Sequence, residues 1–299
     1  MFKRLKILTL PLLALIIVAL SLSGCGGKAA QTEDTSQLDL PQIVSDAMLA
    51  LKNVSSYTYS LDMNIDMEAT GGSSPGQATA KMESSGTADF TAKNMQMDLD
   101  MSVEQSDTQP GDTPMNVSAE MYMMGDTLYI KTDIPGAGEQ WVKTALTEEM
   151  KQAYDLDLVD QQLAPLEDAT QIEYVKTETV DGSECYVLKI VPDMAAMKEW
   201  LDEQQVTSGP LDWSQVQKLE DVFKELAYNT WIAKDTKLIK KMNIQISIEL
   251  NAAQFGIDES EFEKMTMDAE INMLMKDYNE PVTITLPDEA QNATEMPQS

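Results

Sequence analysis

Histidine is absent from the 299-residue chain, and Arg4 is its sole arginine. Without an imidazole there is no Ser-His-Asp triad, no Cys-His pair and no imidazole metal ligand. Without arginine beyond residue 4 there is no bidentate guanidinium clamp for phosphate or carboxylate. Positive charge is scarce throughout, with 21 Lys and Arg against 50 Asp and Glu and a formal charge of −29. Nucleic acid, which is bound by clustered Lys and Arg, is therefore not an expected partner. The two cysteines are Cys25 and Cys185. Carboxylates abound, but no nucleophile and no shaped acid/base pair stands out, so the chain is expected to be no enzyme and to hold no cofactor or metal. Asp155, Asp157 and Asp160, with Glu148 and Glu149 nearby, lack the turn glycine of a calcium loop and read as an acidic helix face.

Long apolar runs are also missing, with one exception. Lys3, Arg4 and Lys6 precede an apolar stretch from Ile7 to Leu22 that ends in Leu22-Ser23-Gly24-Cys25. About 16 residues with Pro11 among them are short for a membrane-spanning helix of ~20, and a basic start followed by such a run is a secretory signal. The Leu-Ser-Gly-Cys ending resembles the lipobox of bacterial lipoproteins. That resemblance implies that residues 1–24 are removed and that Cys25 becomes the lipidated amino terminus, carrying diacylglyceryl and acyl groups. Two or more acyl chains hold a protein on a bilayer, at about 0.8 kcal/mol per buried methylene. Residues 25–37 are small and polar and read as a flexible tether with a reach of roughly 20 Å. With Lys3, Arg4 and Lys6 gone, the mature chain keeps 18 Lys and 50 acids, a charge of −32.

Residues 38–299 read as one domain dominated by strands. Leu40 to Val54, with Pro41 at the start, suits an amphipathic helix. Alternation follows, with Leu61, Met63, Ile65 and Met67 interleaved with Asp62, Asn64, Asp66 and Glu68, so that one strand face is apolar and the other acidic. Strands are expected at about 78–90, 95–104, 116–124 and 127–132, with a short piece at 141–143. Further strands are expected at 171–179, 184–191, 227–233, 240–250, 263–275 and 281–286. Gly125-Asp126 and Asp181-Gly182 are hairpin turn signals. Helical blocks are expected at 147–166 and at 193–226, the latter interrupted at Ser208-Gly209-Pro210. The expected fold is α+β, a single long, strongly curved antiparallel sheet of about eleven strands with helices on its concave face. Cys185 alternates with Val187 and is expected to be a buried, unreactive strand residue. Lys234, Lys237, Lys240 and Lys241 form one basic cluster, open to two readings: contact with anionic head groups or a solvated hairpin tip.

The passage from Tyr228 to Met242, the ending Asp277 to Pro287, the lipobox and the mid-chain helical block together resemble the LolA-like group of bacterial lipoproteins that includes LppX and LprG. The resemblance implies an incomplete β-barrel whose helices cover an apolar cavity, and the binding of a lipid or acylated molecule for carriage or presentation at the cell envelope. The residues themselves supply a candidate lining: Met63, Ile65 and Met67, then Met95, Met97 and Met101, then Ile244 and Ile246, and finally Met265, Met267 and Ile271. Methionine is flexible and polarizable, which suits a wall that remoulds around acyl chains of different length. The expected partners are a lipid or lipidated ligand and, through Cys25, a membrane, with the protein anchored on the outer face of the cytoplasmic membrane or, in a two-membrane envelope, on the outer membrane. The alternative is an envelope scaffold or sensor lipoprotein with a filled core.

Overall fold

A computed structural model of the chain describes residues 38–72, 75–106, 115–134, 138–146, 169–203, 216, 218–255 and 262–295. The signal segment, Cys25, the tether and the helical block expected at 147–166 lie outside the described residues. Helix α1 (Leu40–Leu51) opens with the Asp39 side chain accepting a 3.1 Å hydrogen bond from the Gln42 amide and with Pro41 in its first turn. Both devices satisfy or remove amide donors that a helix start leaves unpaired. Its apolar stripe, Ile43, Val44, Ala47 and Met48, is buried.

The strands then follow as β1 (Ser56–Thr70), β2 (Gly76–Asp89), β3 (Asn94–Gln105), β4 (Met115–Met124), β5 (Thr127–Ile134) and β6 (Gly138–Ala145). After the gap come β7 (Ala169–Val180), β8 (Ser183–Pro192), helix α2 (Met194–Glu203), β9 (Phe223–Ala233), β10 (Ile239–Asn251), β11 (Lys264–Lys276) and β12 (Thr294–Glu295). All twelve described strands form one sheet in the order β12-β6-β5-β4-β3-β2-β1-β11-β10-β9-β8-β7. Eleven are long and antiparallel, and β12 adds two residues parallel to β6. The sheet is unclosed, and its two halves join where β1 pairs with β11 over thirteen positions from Thr58 to Thr70.

Alternation makes these strands. In β1 every second residue from Tyr59 to Met67 is buried and the residues between are exposed. A slip of one residue would turn Asp62, Asn64 and Asp66 into the core, so the pattern fixes the register. Tight turns fix it again. Asp181 and Gly182 both have positive φ, 46° and 76°, the geometry of a two-residue type I′ hairpin between β7 and β8.

Three expectations need correction. The helical block expected to run to Leu226 gives way earlier: Phe223 to Leu226 belongs to β9 because it pairs with Ile246 to Ile248 of β10, and cross-strand pairing overrides local helical pattern. The short piece at 141–143 is a full strand, β6, paired with β5 along its length. Pro281 to Leu286 forms no strand. Both edges of β11 are already taken by β1 and β10. The closing segment is instead tied to the start of β1, where Asn279 accepts from the Ser55 amide at 2.7 Å and Ser56 donates to the Glu280 carbonyl at 2.7 Å.

Gly86 sits where β2 passes the Tyr59 ring and the β3 backbone. A Cβ there would fall 2.5 Å from the Gln96 carbonyl oxygen and 2.6 Å from Tyr59 Cε1. Gly86→Ala is expected to destabilise the protein by about 1–3 kcal/mol, the usual cost of overpacking. A urea titration that gives an unchanged midpoint would contradict this contact.

Candidate functional site

The inner face of the sheet, the one that carries the main core cluster, is built of rows that cross nearly every strand. One row runs Ile172, Ile190, Tyr228, Ile244, Ile271, Met63, Met82, Met101 and Val117, each residue opposite the next on adjacent strands. A second runs Tyr174, Leu188, Thr230, Met242, Met273, Leu61, Ser84, Leu99 and Ala119. A third joins Ile246, Ala269, Ile65, Ala80, Val103 and Met115. Each fully buried Ile, Leu or Met contributes on the order of 1.5–3 kcal/mol, so these rows are the main apolar store of the fold.

The candidate lining residues divide into two groups. Met63, Ile65, Met67, Ile244, Ile246, Met265, Met267 and Ile271 come together in one buried cluster with the α1 stripe. Ile271 is 0% exposed. Met97 and Met101 are partly buried and pack against that cluster from β3. Met95 is also partly buried, at the end of β3 beside Met123 of β4. The inner face is thus covered over β8 to β11 and β1, and keeps solvent exposure over β3 and β4, where Leu99, Met115, Met121 and Met123 share the partial burial of Met95, Met97 and Met101. Sequence reading missed Met82, Ile190 and Tyr228, which complete the central row. Met82 was hidden among the small and polar residues of β2, and Tyr228 was placed at a strand start.

The interior is a low-dielectric environment. Burial alone pushes the Tyr228 phenol well above its ordinary pKa. Ser84 is buried but satisfied, donating to the Asp98 carbonyl at 3.0 Å. Tyr174 and Thr177 share a 3.0 Å hydroxyl–hydroxyl bond.

The outer face carries a smaller apolar cluster of Val180, Cys185, Val187, Trp231 and Ala233, with Leu274 against it. Two polar contacts hold Trp231, and a third braces its carboxylate partner. Its Nε1 donates to Glu178 at 3.1 Å, the Lys241 ammonium lies 4.7 Å from its ring, and Lys176 pairs with Glu178 at 2.5 Å. Burial opposes ionisation of Glu178, but the bonds from Lys176 and Trp231 and the charges of Lys176 and Lys241 outweigh it, so its carboxyl lies below the ordinary range. Beside this cluster a cleft of about 300 Å³ is lined by Ser60, Asp62, Glu178, Lys241, Asn272 and Leu274.

The basic cluster is not an open patch. Lys234 pairs with Glu184 at 3.1 Å and lies over Tyr186, Lys240 lies over Tyr278, Lys241 over Trp231, and the Lys237 ammonium donates to the Lys234 carbonyl at 2.8 Å. These side chains hold their own sheet surface together. Among the described residues no cluster of His, Cys, Asp and Glu is arranged to hold a metal ion, and no helix is long and apolar enough to cross a membrane.

Residues 39–295 match a family described as a family of unknown function, DUF6612. The chain belongs to that family. Among solved structures it is similar to LprF from Mycobacterium bovis, with 16% identity, a TM-score of 0.44, and coverage of 83% of this chain and 97% of that one. It is also similar to the lipoprotein LppX from Mycobacterium tuberculosis, with 12% identity, a TM-score of 0.38, and coverage of 84% and 100%. The resemblance to the LppX group is thus present among solved structures. No curated protein sequence matches the chain.

Cys185 is 0% exposed. Burial, the largest influence on it, pushes its thiol up to about 11. The thiolate is the reactive form. Cys185 is expected to resist a thiol reagent in the native protein near pH 8 and to react once the protein is denatured, with Cys185→Ala keeping the fold. Fast native-state modification, read by intact mass, would contradict this.

Proposed function

We propose that this protein is a cell-envelope lipoprotein, anchored through acyl chains on Cys25, that binds a lipid or acylated molecule non-covalently on the inner face of its sheet for carriage or presentation. The anchor rests on the lipobox resemblance. The binding site rests on one observation above the rest: a largely apolar inner face whose Met-rich end, over β3 and β4, stays partly open while the remainder is closed by α1 and the core. An acyl chain laid along Met95, Met97, Met101 and Met121 would continue the closed rows with no polar group to desolvate. Unbranched methionines let that end reshape around it. Binding of this kind needs no catalytic group.

The buried members, Met63, Ile65, Met67, Ile244, Ile246, Met265, Met267 and Ile271, form the floor that such a ligand extends. Their closure is also what a filled-core scaffold or sensor would show, and the two readings part at β3. A charge at a partly exposed position on a ligand wall disrupts binding with limited loss of stability, whereas a charge in the floor is left unpaired in the core and unfolds the protein. Met97→Glu is expected to weaken binding of a fluorescent fatty acyl probe at least tenfold while lowering the thermal midpoint by a few degrees. Met267→Glu is expected to unfold the domain. A folded Met97→Glu protein that binds the probe as the parent does would contradict a site on β3, and a parent that binds no acyl probe would favour the filled-core reading.

A further inference from the structure

Thr230 is the one buried side-chain polar atom among the described residues with no hydrogen-bond partner. It lies on β9, 1% exposed, in the second inner row between Leu188 of β8 and Met242 of β10. A buried hydroxyl without a partner is costly, and native interiors rarely keep one. The other buried hydroxyl of that row, on Ser84, is satisfied by its own sheet through the Asp98 carbonyl. A valine at 230 would have the same shape and no such cost. A hydroxyl facing the inner surface supplies what the apolar rows otherwise lack, a directional polar contact.

We propose that Thr230 is the polar anchor of the ligand site and that its partner is an uncharged oxygen acceptor on an acyl lipid, the carbonyl or hydroxyl of a neutral acylglycerol. This rests on the reading of the inner face as a lipid site. The neutrality follows from the residues around it. Among the described residues of the two central rows no side chain carries charge, and the lysines beside Thr230 on the ladder, Lys189 opposite Asn229 and Lys241 opposite Trp231, alternate to the outer face. A free carboxylate or phosphate brought to Thr230 would meet no counter-charge among the described residues of these rows, and burying an unpaired ion is far costlier than burying an ester. The hydroxyl donates to the ester carbonyl, and the acyl chains run along the Met63, Met82 and Met101 side of the sheet. Because Thr230 lies in the covered half, the ligand reaches it by displacing part of the cover, to which α1 contributes Ile43, Val44, Ala47 and Met48.

The test compares the parent protein with Thr230→Val and Thr230→Ser, each titrated with fluorescent dioleoylglycerol, with a pyrene-labelled alkane lacking any oxygen, and with fluorescent oleate. Thr230→Val should weaken dioleoylglycerol binding about tenfold, leave alkane binding within twofold, and raise the ligand-free thermal midpoint because the orphan hydroxyl is gone. Thr230→Ser should restore dioleoylglycerol binding to within about threefold of the parent, and oleate should bind the parent more weakly than dioleoylglycerol above pH 8. Equal effects of Thr230→Val on dioleoylglycerol and alkane, or no effect on either, would overturn the anchor while leaving the lipid site standing. Oleate binding tighter than dioleoylglycerol would overturn its neutrality. A parent protein that binds neither dioleoylglycerol nor alkane would overturn the lipid site itself, and the anchor with it.

Discussion

Everything in this fold depends on the alternation of apolar and acidic residues along strands that pair in register from β7 to β6. The antiparallel ladder places Met63 between Ile271 and Met82, and the same step repeats across the sheet. One face becomes a continuous hydrocarbon surface and the other a display of carboxylates. A sheet of twelve strands with one such face must cover it, close on itself or bind something apolar. Here the cover is uneven: complete over β8 to β11 and β1, partial over β3 and β4. That unevenness connects the packing of the fold to its proposed use.

The outer face shows how a chain so rich in carboxylates keeps its few cations at work. Lys176 and Lys241 flank Glu178 and Trp231. Asn243 bridges three strands, donating to Glu270 at 2.9 Å and to Asn272 at 3.2 Å while accepting from Asn229 at 3.2 Å. These contacts hold β7 to β11 together from the outside, while the two central inner rows carry no charged side chain among the described residues. The low-dielectric interior and the polar exterior are two consequences of one register.

Much of this was legible in the sequence because period-two patterning is local. Leu61 to Met67, Met95 to Val103 and Met265 to Met273 each announce an inner and an outer face without knowledge of their partners. The turn at Asp181-Gly182 is legible for the same reason, since its positive φ values are a local demand. What was not legible depends on distant pairing. Phe223 to Leu226 looks helical until β10 is beside it, and Pro281 to Leu286 looks like a strand until both edges of β11 are seen to be occupied. The uneven burial of the candidate methionines, with Met63 in the floor and Met97 at the open end, is likewise a property of the assembled sheet. Thr230 was passed over because a lone threonine in an apolar strand carries no signal until its neighbours are known to offer no acceptor.

The central claim is that the inner face takes up an acyl lipid, and the most direct measurement is native mass spectrometry of the protein purified from its own envelope fraction, followed by organic extraction of whatever is bound. A lipid-site protein shows an added mass that is lost on extraction and recovered as an acyl lipid, with no such mass on protein carrying Met97→Glu. A single unliganded mass that persists after incubation with extracted membrane lipids would contradict the claim.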